Sequence, residues 1–556
     1  MKKHFLLSIL MLLPFMAKAM VQVDGIFYEL NSESKTATVT HFSYKNDYSG
    51  DVVIPECITF ENQTYIVTSI GSCAFSNCGA LNSVFIPKTI KYIGSCAFEH
   101  SKSLKAVYIS DLEAWCKIKF DGSQDANPLY IAHHLYLNGE EIHDLEIPSS
   151  ISSINDFAFQ GCSNISSVKI PNSVTSIGMD AFLRCGLTSV IIPESVTTIG
   201  AQAFYGCSLL TSVTFPESVN SVEYGAFEET PWFSGLPDGF VYLGKMFLMY
   251  KGNMPDNTNL EIKEGTKGIA SNAFSGCSGL SSVKIPNSVV SIGTLAFCGC
   301  TGLKTIVIPE SVKKFDQAFI GCTGLTSVIL PKNITSLGIG TFSGCTGLTS
   351  FEIPEKVTTI GEWTFSGCSG FTSFEIPETI TTIELGAFQG CTGLKSIILP
   401  NSIDSLGYSA FMECSSLTSV ILPNGLKTLH GQLFQGCPLT SITIPESVNM
   451  LENDVFNSMN METMKILAKT PPTVFEDTFR NYDLTLMVPK GSRETYLAAM
   501  YWKNFKEIVE FEEDTGINNL SINDKESNCF YDLKGEIVKY PRKGLYIVKG
   551  KKVILK

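Results

Sequence analysis

Hydrophobic and polar positions recur at a fixed spacing through most of the chain. The stretch "SGCSGFTSFEIPETITTIELGAFQGC" at residues 366–391 ends on the motif with which it begins. In the next copy Leu394, Ile397 and Leu399 are interleaved with Lys395, Ser396 and Ile398, which predicts a short strand that sends Ile397 and Leu399 to one side. Pro400 has no N–H to donate, so it ends the ladder there. Ile403 and Leu406 of "SIDSLG" point inward again, Gly407 permits a bend, and Ala410 with Phe411 places a small and a large residue beneath the next rung. The inward set of each copy is thus Leu, Val or Ile, Ile or Leu, Val or Ile, Ile or Leu, Ala, Phe and Cys.

Alignment on the proline after the strand gives Pro171, Pro193 and Pro216, then Pro286, Pro309, Pro331, Pro354, Pro377, Pro400, Pro423 and Pro445, in steps of 22 or 23 residues. Looser copies end at Pro55, Pro87 and Pro148. A unit this short cannot bury its apolar face alone and has to stack on its neighbours. The expected fold is a β-rich solenoid, a rod of 22–23-residue rungs with a parallel sheet, an N-terminal β cap and a small C-terminal β domain.

The organisation along the chain follows from where the pattern changes. Residues 1–19 carry Lys2, Lys3, an apolar run and Ala17-Lys18-Ala19, the layout of a secretory signal. The run is shorter than the ~20 residues a bilayer span needs, and no later segment resembles a transmembrane span. Residues 20–64 alternate apolar and polar positions and form the N-terminal cap, since an open solenoid end exposes its core. The solenoid proper covers residues 65–464, with insertions at 111–147 and 229–262 expected to pack hairpins and aromatics on the rod. Within them "LYLNGEEI" predicts a hairpin around Asn138 and Gly139, and "VYLGKMFLMYKG" predicts paired strands. Residues 465–513 cap the other end, with a last strand over 485–488 and a helix from near Ser492, whose hydroxyl is placed to cap it. Residues 514–556 read as a linker and a small domain of short strands.

The spacing L-x-x-V-x-I, with Pro where Asn would follow the strand, a Gly-Cys before the Leu, and "SIG..AF.GC", resembles the BspA-like leucine-rich repeat family of bacterial surface proteins. The resemblance covers roughly residues 65–456, and it implies a leucine-rich repeat rod typical of Bacteroidales. Some members of that family act as adhesins for host matrix proteins or for other bacteria. At the far end "YDLKGEIV" and "KGLYIVKGKKVILK" resemble, in shortened form, the sorting domains of the type IX secretion pathway. That likeness implies surface attachment through the C-terminal segment, and a secreted or outer-surface location.

Charge and chemistry narrow the function classes. The formal net charge is -13, which opposes nucleic-acid binding because phosphate recognition needs a basic face. The tail differs, with nine Lys or Arg against four Asp or Glu over residues 516–556. Twelve of the 18 cysteines, from Cys78 to Cys437, share one phase of the repeat. Stacked side chains in phase run parallel and fit the disulfide dihedral poorly, so buried reduced thiols are the favoured reading. Adjacent-rung disulfides are the alternative, with Cys73 and Cys96 as the first pair to consider. His133 and His134 are neighbours on opposite sides of the backbone, and no C-x-x-C pair, catalytic signature or nucleotide fingerprint occurs. No enzyme, metal or cofactor is nominated.

The position between Val and Ile of each strand is the one that folding leaves free. Along the second run it holds Lys284, Val307, Ile329, Glu352, Glu375, Ile398 and Ile421. These residues are the candidate ligand-binding face, and Trp115 and Trp232 of the insertions are the second candidates. The expected function is a recognition protein with a host-matrix or bacterial-surface protein ligand. The rivals are a structural envelope or spacer protein, and an accessory part of a carbohydrate-active system.

Overall fold

The computed structural model describes residues 19–42, 48–122, 124–313, 315–456 and 461–512, with four short strands beyond them. Most rungs feed two parallel ladders. In the first, Ser189–Ile191 pairs with Ser212–Thr214; in the second, Thr198–Ile199 pairs with Ser221–Val222. Each register step moves the chain one rung, so equivalent residues of successive copies lie side by side.

The expected facing is observed. Leu394, Ile397, Leu399, Ile403, Leu406, Ala410 and Phe411 are buried while Ile398 is exposed. The Pro400 carbonyl accepts the Ile403 N–H at 3.1 Å, so the residue that ends the strand also begins the turn. Gly407 serves a purpose other than bending. Its φ lies outside the left-handed region, but a Cβ there would come within 2.5 Å of the backbone of Glu384 and Leu385 in the preceding rung. Glycine permits close stacking at this point.

The phenylalanine of each Ala-Phe pair stacks on its counterpart in the next rung. Centroids lie 5.1 Å apart for Phe274 and Phe297, 5.2 Å for Phe297 and Phe319, and 5.4 Å for Phe388 and Phe411. The buried residues divide into two cores, one running from Ile26 to Leu248 with Ala270, the other from Phe247 to Ile508. The division falls in the antiparallel hairpin Gly239–Leu243 and Met246–Lys251.

Both expected insertions prove to be rungs with helices or hairpins added. Lys119–Phe120 extends the second ladder from Tyr92–Ile93, and Leu135–Leu137 extends the first from Ala106–Ile109. The helices Leu112–Cys116 and Leu129–Ala132 lie between these strands in the chain. The hairpin at Asn138 and Gly139 is present, with φ of 53° and 90° at its turn. Likewise Met246–Lys251 pairs in parallel with Gly268–Ile269, and Thr258–Glu261 with Leu280–Lys284. Alignment on proline passed over these rungs because stacking requires the inward Leu or Ile, and the proline is dispensable.

Ala19–Val23, Ile26–Asn31 and Thr36–Thr40 form an antiparallel meander, whose last strand pairs in parallel with Gln63–Ile70. Near the other end Thr485–Pro489 is followed by the helix Arg493–Ala498, but it is not the last strand, because Glu507–Phe511 pairs in parallel beyond it. Ser492 does not cap the helix through its hydroxyl. Its backbone is helical (φ -107°, ψ -7°) rather than extended, and the hydroxyl donates back to the Pro489 carbonyl. Glu510 Oε1 instead accepts the N–H groups of Gly491 and Arg493, each at 3.0 Å.

The first ladder is interrupted after Ser327–Ile329 and resumes at Ser396–Ile398, apart from one bridge between Ser373 and Ser396. In the two intervening rungs the inward Val position holds Phe351 and Phe374. Phe351 contacts Phe342 at 5.0 Å and Phe365 at 4.8 Å, and those two rings stand 6.0 Å apart, the widest step between Phe247 and Phe434. The ladder also breaks between Ser167–Lys169 and Ser189–Ile191 and between Ser419–Ile421 and Ser441–Ile444, where no ring stands at this position, so the rings mark the longest of these gaps without being required for a break.

Asn518–Leu520, Lys551–Leu555, Gly544–Val548 and Phe530–Tyr531 make a four-stranded sheet of their own, in that order. The rest of 514–556 and residues 1–18, which include the expected signal, lie outside the described residues. Among the described residues no helix is long and apolar enough to cross a membrane.

Candidate ligand-binding face

Alternation along the first strand turns every second residue away from the core, and parallel register aligns those residues into a column. Val307 is the register partner of Ile329, and Ile398 of Ile421. All four are between 52% and 59% exposed, large values for aliphatic side chains within a sheet. Glu352 and Glu375 are exposed at the same phase, but they sit in the two rungs where the ladder is interrupted, not on a continuous sheet. Neither carboxylate has an ion-pair partner among the described residues. Lys284 is exposed and paired with Glu261 of the preceding rung at 2.5 Å, and this bond raises its pKa. Lys169 pairs with Glu146 in the same manner.

Trp115 does not belong to a binding face. It is 1% exposed, and its indole N–H donates to the Ala158 carbonyl at 3.0 Å, so the helix Leu112–Cys116 uses it to anchor onto the rod. A tryptophan in an interruption of a repeat gave no sequence signal of facing. Trp232 is half-buried and meets Phe227 edge-on at 5.0 Å, closing the Phe stack of the first core.

The cysteine column is structural. All 17 described cysteines are unbridged, Cys73 and Cys96 included. From Cys185 to Cys437, the column thiols other than Cys277 donate to the carbonyl of the preceding rung's Phe, as in Cys185 to Phe159 at 3.0 Å and Cys391 to Phe365 at 3.1 Å. Ser101 stands at the column position after Cys78 and makes the same bond to Phe75. The recurring cysteine is therefore a small buried residue with one weak donor, which spares the Phe carbonyl. His133 Nδ1 donates to the Gly161 carbonyl at 2.9 Å, and His134 pairs with Glu141 at 2.5 Å. Among the described residues no three His, Cys, Asp or Glu are grouped as a metal would require.

A rod of 22–23-residue rungs with this inward set is the structure that the repeat pattern implied. The model of the BspA-type leucine-rich repeat region matches residues 55–125, 129–235, 250–372 and 335–463. The chain belongs to the BspA-type leucine-rich repeat family. The match stops at residue 463, before the segment likened to a sorting domain. Among curated proteins none matches the chain. Solved structures similar to this BspA-type chain include a leucine-rich repeat protein from Bacteroides ovatus, at 25% identity over 80% of this chain and 94% of that one, with a TM-score of 0.30. A leucine-rich cell surface protein from Faecalibacterium prausnitzii is 29% identical over 68% of this chain and 94% of its own, with a TM-score of 0.30. The pneumococcal vaccine antigen PcpA is 15% identical over 89% and 99%, with a TM-score of 0.30.

The candidate residues come from the later run of rungs and leave out the same column near the N-terminus, in the looser copies that end at Pro55 and Pro87 and the rungs after them. There Val53, Phe85, Tyr108 and Tyr136 are register partners in succession. The strand "SVFIP" before Pro87 already showed Phe85 between an inward Val and Ile, and "AVYI" shows Tyr108 in the same position.

Proposed function

We propose that this BspA-type protein is a secreted or surface-exposed bacterial recognition protein, adhesin-like, which binds a host extracellular or bacterial surface protein through the outward column of its first ladder. The observation that carries the reading is the pair of in-register apolar contacts, Val307 with Ile329 and Ile398 with Ile421, held out to solvent on either side of the unpaired Glu352 and Glu375. Contiguous exposed apolar groups mark interaction surfaces, and the acidic centre favours a partner with a basic group between apolar ones. Lys284 lies at the rim of this surface, one rung before Val307. Export is supported by the signal-like residues 1–19, and attachment by the resemblance of residues 514–556 to sorting domains.

The test is Ile398→Ser combined with Ile421→Ser in pull-downs of extracellular-matrix extract and of bacterial cell surfaces. Capture should fall while the melting curve stays within a few degrees of wild type, since both side chains face solvent. Unaltered capture sinks this choice of face. Absence of any capture by the wild-type chain favours the spacer reading.

A further inference from the structure

We infer that the N-terminal end of the first ladder carries a second, separate binding site, a groove for a neutral carbohydrate. A groove of about 570 Å³ crosses Ser49–Val53, Ala80–Ile86 and Ala106–Ile109, and ends at the Asn138-Gly139 turn. That volume falls within the range of small-ligand sites, ~300–1,000 Å³.

Its floor is aromatic. Phe85 and Tyr108 are register partners on adjacent strands and both half-buried. Tyr136 stacks on one face of Tyr108 with centroids 4.8 Å apart and an interplanar angle of 29°. This backing fixes the Tyr108 ring. Phe85 makes no ring contact with Tyr108 among the described residues, and both residues line the groove.

Polar groups stand at the groove's margins. Asp51 accepts the Ser83 hydroxyl at 2.7 Å, which holds its carboxylate in place. Asn82 lies within Ala80–Ile86, Lys105 immediately precedes Ala106–Ile109, and Asn138 stands at the turn that ends the groove. Lys105 has no ion-pair partner among the described residues. One carboxylate and one ammonium within a single groove leave it without net charge, so it selects neither an anion nor a cation.

A pyranose answers this arrangement on both counts. Its ring C–H groups pack against the aromatic rings, while its hydroxyls, each donor and acceptor, pair with the carboxylate, amides and ammonium. Acidic polymers would meet Asp51, and nucleic acid is further opposed by the net charge of -13.

Affinity electrophoresis of the chain from residue 20 onward, in native gels cast with yeast mannan, starch, laminarin or xyloglucan, tests the site, with chondroitin sulfate as the acidic comparison. Wild type should be retarded in at least one neutral gel. Tyr108→Ala should weaken that retardation about tenfold or more, a loss of ~1.4 kcal/mol. Asp51→Asn is solvent-exposed and leaves the fold intact, so a parallel loss there separates ligand contact from misfolding. The variant combining Ile398→Ser and Ile421→Ser should be retarded like wild type, which keeps this site distinct from the protein-binding face. Free migration in every neutral gel, equal retardation of Asp51→Asn and wild type, or retardation by chondroitin sulfate alone would each overturn the proposal.

Discussion

At the scale of single residues, the cysteine column shows how a repeat chooses a residue for one bond and one volume. Burial pushes the Cys391 thiol from its ordinary 9.0 up to about 12, and Cys207 likewise. A raised pKa means that the folded state holds the proton. Below pH 9 both states are protonated and the contribution is whole; between about pH 9 and 12 only the unfolded chain ionises, and stability drains away. Each such thiol removes about 1.4 kcal/mol per pH unit across that window. Denaturant titrations from about pH 8 to 11 should therefore show wild type weakening with pH, and Cys391→Ala weakening less steeply by about that slope. Equal slopes would place the Cys391 thiol in contact with solvent.

Among elements, the interrupted ladder has its longest gap where Phe replaces the inward Val or Ile in two successive rungs. Val and Ile at the inward position permit ladder distance, as at Val420 beside Ile397, but do not guarantee it, since the strands of Val420 and Ile442 do not pair with each other. Phe351 and Phe374 are equally apolar and buried or half-buried, yet their rungs form no continuous strand. If their rings overpack the rungs at the expense of the backbone hydrogen bonds, smaller residues should restore the ladder. Phe351→Val with Phe374→Val should let the rungs close and join Ser327–Ile329 to Ser396–Ile398. Hydrogen exchange at residues 350–353 and 373–376 should slow in that variant; exchange as fast as wild type would assign the interruption to another cause.

Across the whole molecule, each rung touches only its neighbours, so cooperativity depends on unbroken contact along the rod. The Phe stack is broken between Phe227 and Phe247, where Trp232 closes one side and Phe274 continues the other. The two cores meet at that place. Unfolding in denaturant should resolve two transitions, one for each core. Phe204→Ala should shift the first and Phe411→Ala the second, each by about 3–5 kcal/mol. A single transition moved equally by both variants would show that the cores fold as one unit.

The sequence by itself determined the rung and most of its inward face. Ile397, Leu399, Phe411 and Cys414 could be assigned because a residue repeated at one phase is the residue that stacking constrains. The outward phase was legible for the complementary reason, since Ile398, Glu375 and Lys284 vary at a position that folding leaves free. Tertiary structure alone decided what depends on distances between copies. Trp115 became an anchor because its indole reaches Ala158, a contact 43 residues away that no local pattern encodes. Gly407 answers to the backbone of Glu384 one rung below, and Phe351 meets the rings of Phe342 and Phe365, which only stacking places on either side of it. The groove at Phe85 and Tyr108 was hidden for the same reason, because its walls come from strands brought side by side only by stacking.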